Sequence, residues 1–246
     1  MLTTLQNAID HRRIELYLQP IVTLPGRLVR YYEALGRLRN DRDEVVPAAD
    51  FIAVAQGAGL LAAIDIMAMF RCIQVVRRLL LEDREASLFC NLSASALVDN
   101  RIFPELLEFL DANRAIAPSV ILEFTQSAAR QMGSIEGERL AALADRGFRF
   151  SLDNVTDMRM DVPALAARGF RFIKISAARL LNSTTDLDLH PANMVETLGR
   201  SGMELIADHI ESDDTVVDLL SHDVRLGQGF LFSPPRPLRA QAPRPR

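Results

Sequence analysis

The sequence predicts an α/β fold, a TIM-like (β/α)8 barrel whose first strand runs antiparallel to the rest. Three observations predict it. Seven short apolar runs each end in a polar side chain: Glu33, Asn91, Glu123, Asp153 (with Asn154 beside it), Lys174, Asp208 and Gln228. These ends are spaced by 58, 32, 30, 21, 34 and 20 residues, intervals that mostly suit one strand, one helix and two loops. Strand-like and helix-like runs alternate, and the 246 residues come close to the roughly 250 of a single barrel. Such a barrel gathers the carboxyl ends of its strands around one mouth, so these polar ends meet in one site. Oxygen ligands and a lone lysine there point to a divalent metal and a phosphate ester.

The elements follow in order. Thr3 to Arg13 reads as a short helix. Leu16–Val22 alternates apolar and polar and reads as a strand, ended by the turn signal Leu24-Pro25-Gly26. Arg27–Leu38 begins as a strand, and the tight turn makes the pair an antiparallel hairpin. Pro47–Gln56 and Leu60–Leu81 are helices, with Gly57 and Gly59 between them. Strands then fall at Leu88–Leu92, Val120–Thr125, Phe148–Leu152, Phe170–Ile175, Glu204–Ala207 and Arg225–Phe232. Helices lie near Pro104–Asn113, Ile135–Arg146, Val162–Arg168, Pro191–Ser201 and Thr215–His222. This alternation implies βαβ units around a parallel sheet. The strands are almost continuously apolar, as strands covered on both faces should be. Gly147-Phe-Arg-Phe recurs as Gly169-Phe-Arg-Phe, a 22-residue shift in which each glycine ends a helix before the next strand.

Composition narrows the function. A net charge of −4 excludes a basic nucleic-acid surface, so a bound nucleotide would be small and locally held. Cys72 and Cys90 read as reduced core residues. The most apolar stretch, Leu60–Leu81, carries Asp65, Arg71, Gln74, Arg77 and Arg78, which are costly in lipid, so it reads as a buried amphipathic helix. No signal peptide is visible. Residues 1–235 read as one domain and 236–246 as a proline- and arginine-rich disordered tail.

Several motifs carry a family resemblance. Tyr32-Glu33-Ala34-Leu35 followed by Arg37 resembles the signature of EAL domains, the cyclic di-GMP phosphodiesterases and their non-hydrolysing receptor relatives. Gln19-Pro20-Ile21, Cys90-Asn91-Leu92-Ser93 and Leu122-Glu123-Phe124-Thr125 resemble that family's Q-P-I, N-L-S and E-x-T-E segments. Leu152-Asp153, Ile173-Lys174-Ile175, Ala207-Asp208-His209-Ile210-Glu211 and Gln228-Gly229-Phe230 resemble its D-D-F-G, K-I-D, A-E-G-V-E and Q-G-Y, all in the family's order. The resemblance implies a barrel with an antiparallel first strand. It implies Mg²⁺ or Mn²⁺ ligands at Glu33, Asn91, Glu123 and Asp153, and catalytic roles for Lys174 and Asp208. It implies ligand contacts from Gln19, Glu33, Arg37, Asn91, Asp153, Lys174, Asp208, Glu211 and Gln228, with Arg37 on a phosphate and Gln19 on a guanine.

Departures from the family pattern separate receptor from enzyme. The second aspartate of the metal pair is Asn154, which carries no charge and cannot bridge two cations. The loop Asn154–Met158 lacks the family's glycines, and the glutamate that anchors it is Gln126. Asp208 replaces a glutamate and reaches about 1–1.5 Å less far, a displacement of the size that costs about 10²-fold in rate. His209 stands where the family has glycine, and Gln56 where it has an acid. The expectation is a degenerate EAL domain: a cyclic di-GMP receptor with little or no hydrolysis. The alternatives are a working Mg²⁺- or Mn²⁺-dependent phosphodiesterase giving pGpG, and an interaction scaffold without nucleotide. Leu18–Pro25 and Phe70–Arg78 resemble TipF-type receptors of flagellar assembly. That implies a cytoplasmic domain tethered to the inner membrane through a region upstream of this sequence. It also implies flagellar assembly or polarity factors as protein partners and leaves a homodimer open.

Overall fold

The computed structural model describes residues 1–81, 87–182 and 190–238. Its strands are β1 (Ile14–Thr23), β2 (Val29–Arg39), β3 (Val45–Val46), β4 (Ser87–Asn91) and β5 (Val120–Thr125). They continue with β6 (Arg149–Asp153), β7 (Phe170–Ser176), β8 (Glu204–Asp208), β9 (Leu226–Gln228) and β10 (Arg236–Pro237). The helices are α1 (Leu2–Asp10), α2 (Ala48–Gly57), α3 (Leu61–Leu81), α4 (Ala94–Val98), α5 (Ile102–Ala112) and α6 (Gln126–Gln131). After these come α7 (Ser134–Ala144), α8 (Val162–Ala167), α9 (Ala177–Asn182), α10 (Pro191–Arg200) and α11 (Asp213–Ser221).

The sheet closes in the order β1-β9-β8-β7-β6-β5-β4-β2 and back to β1. Strand β1 is antiparallel to both neighbours, β2 and β9, while the pairs from β2–β4 round to β8–β9 are parallel. The hairpin expected at the start is therefore the element that makes this barrel irregular. Two glycines set up the next strands as expected. Gly147 and Gly169 have φ of 90° and 97°, and a Cβ at Gly169 would press the Phe150 ring at 3.1 Å.

The barrel interior is layered. Ile21, Phe89, Ile121, Phe172, Ile206 and Leu226 form one buried cluster with Tyr31 against it. The Tyr31, Phe89 and Phe172 rings meet edge to face at 5.0–5.5 Å. Side chains alternate along a strand, so the residue two positions nearer the mouth points inward again. That rule takes Tyr31 to Glu33, Phe89 to Asn91, Ile121 to Glu123 and Phe172 to Lys174. It takes Ile206 to Asp208 and Leu226 to Gln228 and, on reversed β1, Ile21 back to Gln19. Residues of the other parity, such as Leu88, Cys90, Leu122, Phe124, Phe150, Leu152, Ile173 and Ile175, pack in the large core cluster under the helices. Cys72 and Cys90 are both buried free thiols, as expected.

Three expectations are corrected. The strand read at Arg225–Phe232 is only Leu226–Gln228, because the chain turns at Gly229 to let the Ile210 backbone cross. Arg236 and Pro237, read as the start of the tail, instead pair antiparallel with Leu18 and Tyr17. The rest of that tail lies outside the described residues. Helices α4, α6 and α9 were not expected; at five or six residues they are too short to show a helical period.

Candidate functional site

The alternation rule brings the predicted polar residues together. Lys174, only 1% exposed, donates from Nζ to Glu123 Oε1 at 2.8 Å and to Glu33 Oε2 at 3.0 Å. Gln228 Nε2 donates to Glu33 Oε2 at 2.6 Å and to Gln19 Oε1 at 3.0 Å. Asn91 Nδ2 donates to Glu33 Oε1 at 3.2 Å, and Gln19 Nε2 donates to Ser233 O at 3.2 Å. Asn154 Nδ2 reaches Asp153 Oδ2 at 3.1 Å, and His209 Nδ1 lies 3.1 Å from Asp208 Oδ1. Arg37 is half-buried; it donates to Gly36 O at 2.9 Å and sits 5.4 Å from the Tyr17 ring centroid. Glu211 is exposed on the segment that leaves the mouth after β8. These hydrogen bonds join Gln19, Glu33, Asn91, Glu123, Lys174 and Gln228 in one network.

Charge is unevenly distributed within this ring. Burial pushes Glu123 up to about 8, and the neighbouring Glu33 and Asp153 carboxylates add to that against the pull of Lys174. Burial acts the same way on Glu33, but the Lys174 charge and hydrogen bonds from Gln228, Lys174 and Asn91 outweigh it and hold Glu33 below the usual range. Lys174 loses solvation, yet three carboxylates keep it firmly protonated. Burial raises Asp153.

Glu33, Asn91, Glu123 and Asp153, the expected metal ligands, do not make a metal cage as arranged. Their donors are hard oxygens, and buried Glu123 Oε2 has no hydrogen-bond partner, so part of the chemistry suits a hard cation. The Lys174 ammonium, however, is bonded between Glu33 and Glu123, and both Glu33 oxygens are taken by nitrogen donors. Asn154 donates an N–H to Asp153 Oδ2 and adds no charge to this set of oxygens. Among the described residues no three His, Cys, Asp or Glu side chains gather as a metal-holding group.

Two site-shaping residues were underrated by sequence reasoning. Gln126 is buried and grips the loop after β6 with both ends of its amide. Its Oε1 accepts from Thr156 N and Asp157 N at 3.0 and 3.1 Å, and its Nε2 donates to Asp157 O at 2.6 Å. The loop passes through Asn154 with φ of 51°, a conformation asparagine tolerates better than most side chains. Asp65, on α3, accepts from Ser93 N at 2.8 Å and so fixes the turn that follows Asn91. Its signal was a lone acid inside an apolar helical run. Burial pushes it up to about 7.

Similarity to known proteins covers the same residues. The EAL domain family profile matches residues 3–235. The chain is 25% identical over 240 residues to the cyclic di-GMP phosphodiesterase PdeF of Escherichia coli (strain K12), covering 97% of this chain and 32% of that protein. It is 24% identical over 244 residues to the cyclic di-GMP phosphodiesterase PdeR of the same strain, covering 96% of this chain and 36% of that one. It thus spans about a third of the length of these relatives. In fold it is similar to the FimX EAL domain of Pseudomonas aeruginosa bound to c-di-GMP (TM-score 0.79, 24% identity, 96% of each chain). It is also similar to the Xanthomonas citri FimX EAL domain in complex with c-diGMP (TM-score 0.82, 18% identity, 96% of this chain and 93% of that one).

Proposed function

The chain belongs to the EAL domain family, and from that premise we propose that it is a degenerate member: a receptor that binds cyclic di-GMP at the barrel mouth and hydrolyses it little or not at all. One observation carries this reading. Lys174 spends its charge on Glu33 and Glu123 together, so the carboxylates that would gather cations are already paired inside the protein. Hydrolysis needs charge stabilisation that appears in the transition state, whereas binding needs only donors and shape. Gln19, Arg37, Asn91, Lys174 and Gln228 supply N–H donors, and Asp153 a carboxylate acceptor, for a dianionic dinucleotide. Binding would bias the loop held by Gln126 and so alter a surface read by a protein partner. The resemblance of Leu18–Pro25 and Phe70–Arg78 to flagellar receptors supports an output in motility or biofilm control. No helix among the described residues is long and apolar enough to cross a membrane.

Calorimetric titration with cyclic di-GMP, with and without Mn²⁺, tests the proposal when the same samples are analysed for product. Saturable binding without accumulation of pGpG is expected. Arg37→Ala should weaken binding by about 1–3 kcal/mol through loss of a charge-assisted phosphate contact. Steady production of pGpG that Glu33→Ala abolishes would make the protein an enzyme. Absence of heat at about 100 μM ligand, with no thermal shift, would leave it a scaffold.

A further inference from the structure

His209 brings to the mouth a charge that the binding reading does not use. It has φ of 55°, a left-handed conformation rare for a residue with a side chain. The backbone is pinned there. Ile210 N donates to Gln228 O at 3.1 Å, Leu231 N donates to Ile210 O at 3.1 Å, and Gly229 leaves the space for the crossing. The imidazole is 74% exposed on the solvent side, with Nδ1 3.1 Å from Asp208 Oδ1. That buried carboxylate oxygen accepts no hydrogen bond in this geometry, so the 3.1 Å approach of Nδ1 is an ion-pair contact. With Nδ1 turned to Asp208, the ring keeps Nε2 for another partner.

Resting on the binding reading above, we infer that His209 is a phosphate-contact residue: braced by Asp208, it offers Nε2–H to one phosphate of the bound dinucleotide and supplies there the positive charge that a divalent ion would otherwise supply. The neighbouring charges fit this role. Glu33 and Glu123 are paired with Lys174, Asp153 with the Asn154 amide, and Asp208 with His209 itself. The Asn154 amide is neutral, so two cations, Lys174 and protonated His209, stand among four acidic side chains, and the imidazolium offsets part of the negative charge that a dianionic ligand meets at the mouth. Interaction with Asp208 raises the imidazole pKa, with Asp153 and Glu211 adding in the same direction and burial opposing. The acidic groups that face the ring favour its charged form, the form able to donate from both nitrogens.

The test is titration of the whole chain with cyclic di-GMP in EDTA-treated buffer at pH 6 and pH 8.5, for the wild type, His209→Gln and His209→Gly. The wild type should bind without divalent ion and bind about fivefold tighter at pH 6 than at pH 8.5, the scale of one exposed charged hydrogen bond. Both variants should bind about fivefold more weakly than wild type at pH 6 and match it near pH 8.5. Asp65 and Glu123 titrate in this range too, but all three proteins carry them, so the difference between curves isolates His209. His209→Gly also removes the left-handed strain, so weakened binding there does not arise from a fold made less stable at that residue. Equal affinity of wild type and variants at pH 6 overturns the inference while leaving the binding reading intact, provided Arg37→Ala still weakens binding. Binding that requires Mn²⁺ overturns the replacement of the ion by His209. No binding by the wild type under any condition overturns both readings.

Discussion

Lys174→Met keeps a stem of similar length packed near the Phe89 ring, where the ammonium now sits 4.9 Å from the centroid, and removes the charge. Two buried carboxylates then lose their shared partner, Glu123 from 2.8 Å and Glu33 from 3.0 Å. Breaking a buried ion pair by removing one member costs about 3–5 kcal/mol, chiefly because the charge left behind is uncompensated. Glu123 can escape that cost by taking up a proton. It already lies at about 8 in the folded protein against an ordinary 4.5, so the unfolded chain releases its proton first and this group's contribution to stability falls between about pH 4.5 and 8. Without Lys174 its folded value rises further, and the fall continues to higher pH.

Urea unfolding followed by circular dichroism should therefore show Lys174→Met losing about 3–5 kcal/mol at pH 8 and clearly less at pH 6, with an unchanged slope. Adding Glu123→Gln to Lys174→Met removes the stranded charge and should recover a large part of the loss at pH 8. A single variant as stable as the wild type at pH 8, to within about 0.5 kcal/mol, would show that the ammonium is not holding the carboxylates in the folded state.

Three other perturbations probe the frame of the mouth. Gly229→Ala would drive a Cβ into the backbone O and N of Ile210, so a loss of about 3 kcal/mol or more is expected in urea unfolding, with weaker ligand titration because Gln228 is adjacent; a neutral effect would mean the crossing can move. Asp65→Asn keeps an acceptor for Ser93 N. The acid sits at about 7 against an ordinary 3.8, so it withdraws stability as pH rises from about 4 to 7, on the order of a few kcal/mol. The variant should lose that part of the stability–pH profile, and an unaltered profile would refute the assignment. Gln126→Glu would set a carboxylate oxygen where an N–H now donates to Asp157 O at 2.6 Å. About 1–3 kcal/mol of destabilisation and faster proteolytic cleavage within residues 154–158 are expected, and intact protection would show the loop is held by other groups.

The sequence made the inward-facing ring legible because strand alternation is a local rule. Once Phe89, Ile121 and Phe172 are read as the barrel floor, Asn91, Glu123 and Lys174 follow two residues on. The pairing of the charges is a different matter. Lys174 finds Glu33 across 141 residues and Glu123 across 51, and no local pattern says which carboxylate an inward lysine will take. The same limit hid Asp65, whose partner is 28 residues away, and the double grip of Gln126 on residues 30 and 31 positions later. It also made Glu33, Asn91, Glu123 and Asp153 look like an open set of oxygen ligands. Ligand type is written in the residue, but ligand availability depends on which nitrogen reaches the oxygen first. Here the protein's own amides and ammonium do so at 2.6–3.2 Å, while Asp208 faces the His209 imidazole at 3.1 Å. The bonds that fill the mouth thus run between distant strands, whereas Asn154 and His209 face their chain neighbours Asp153 and Asp208.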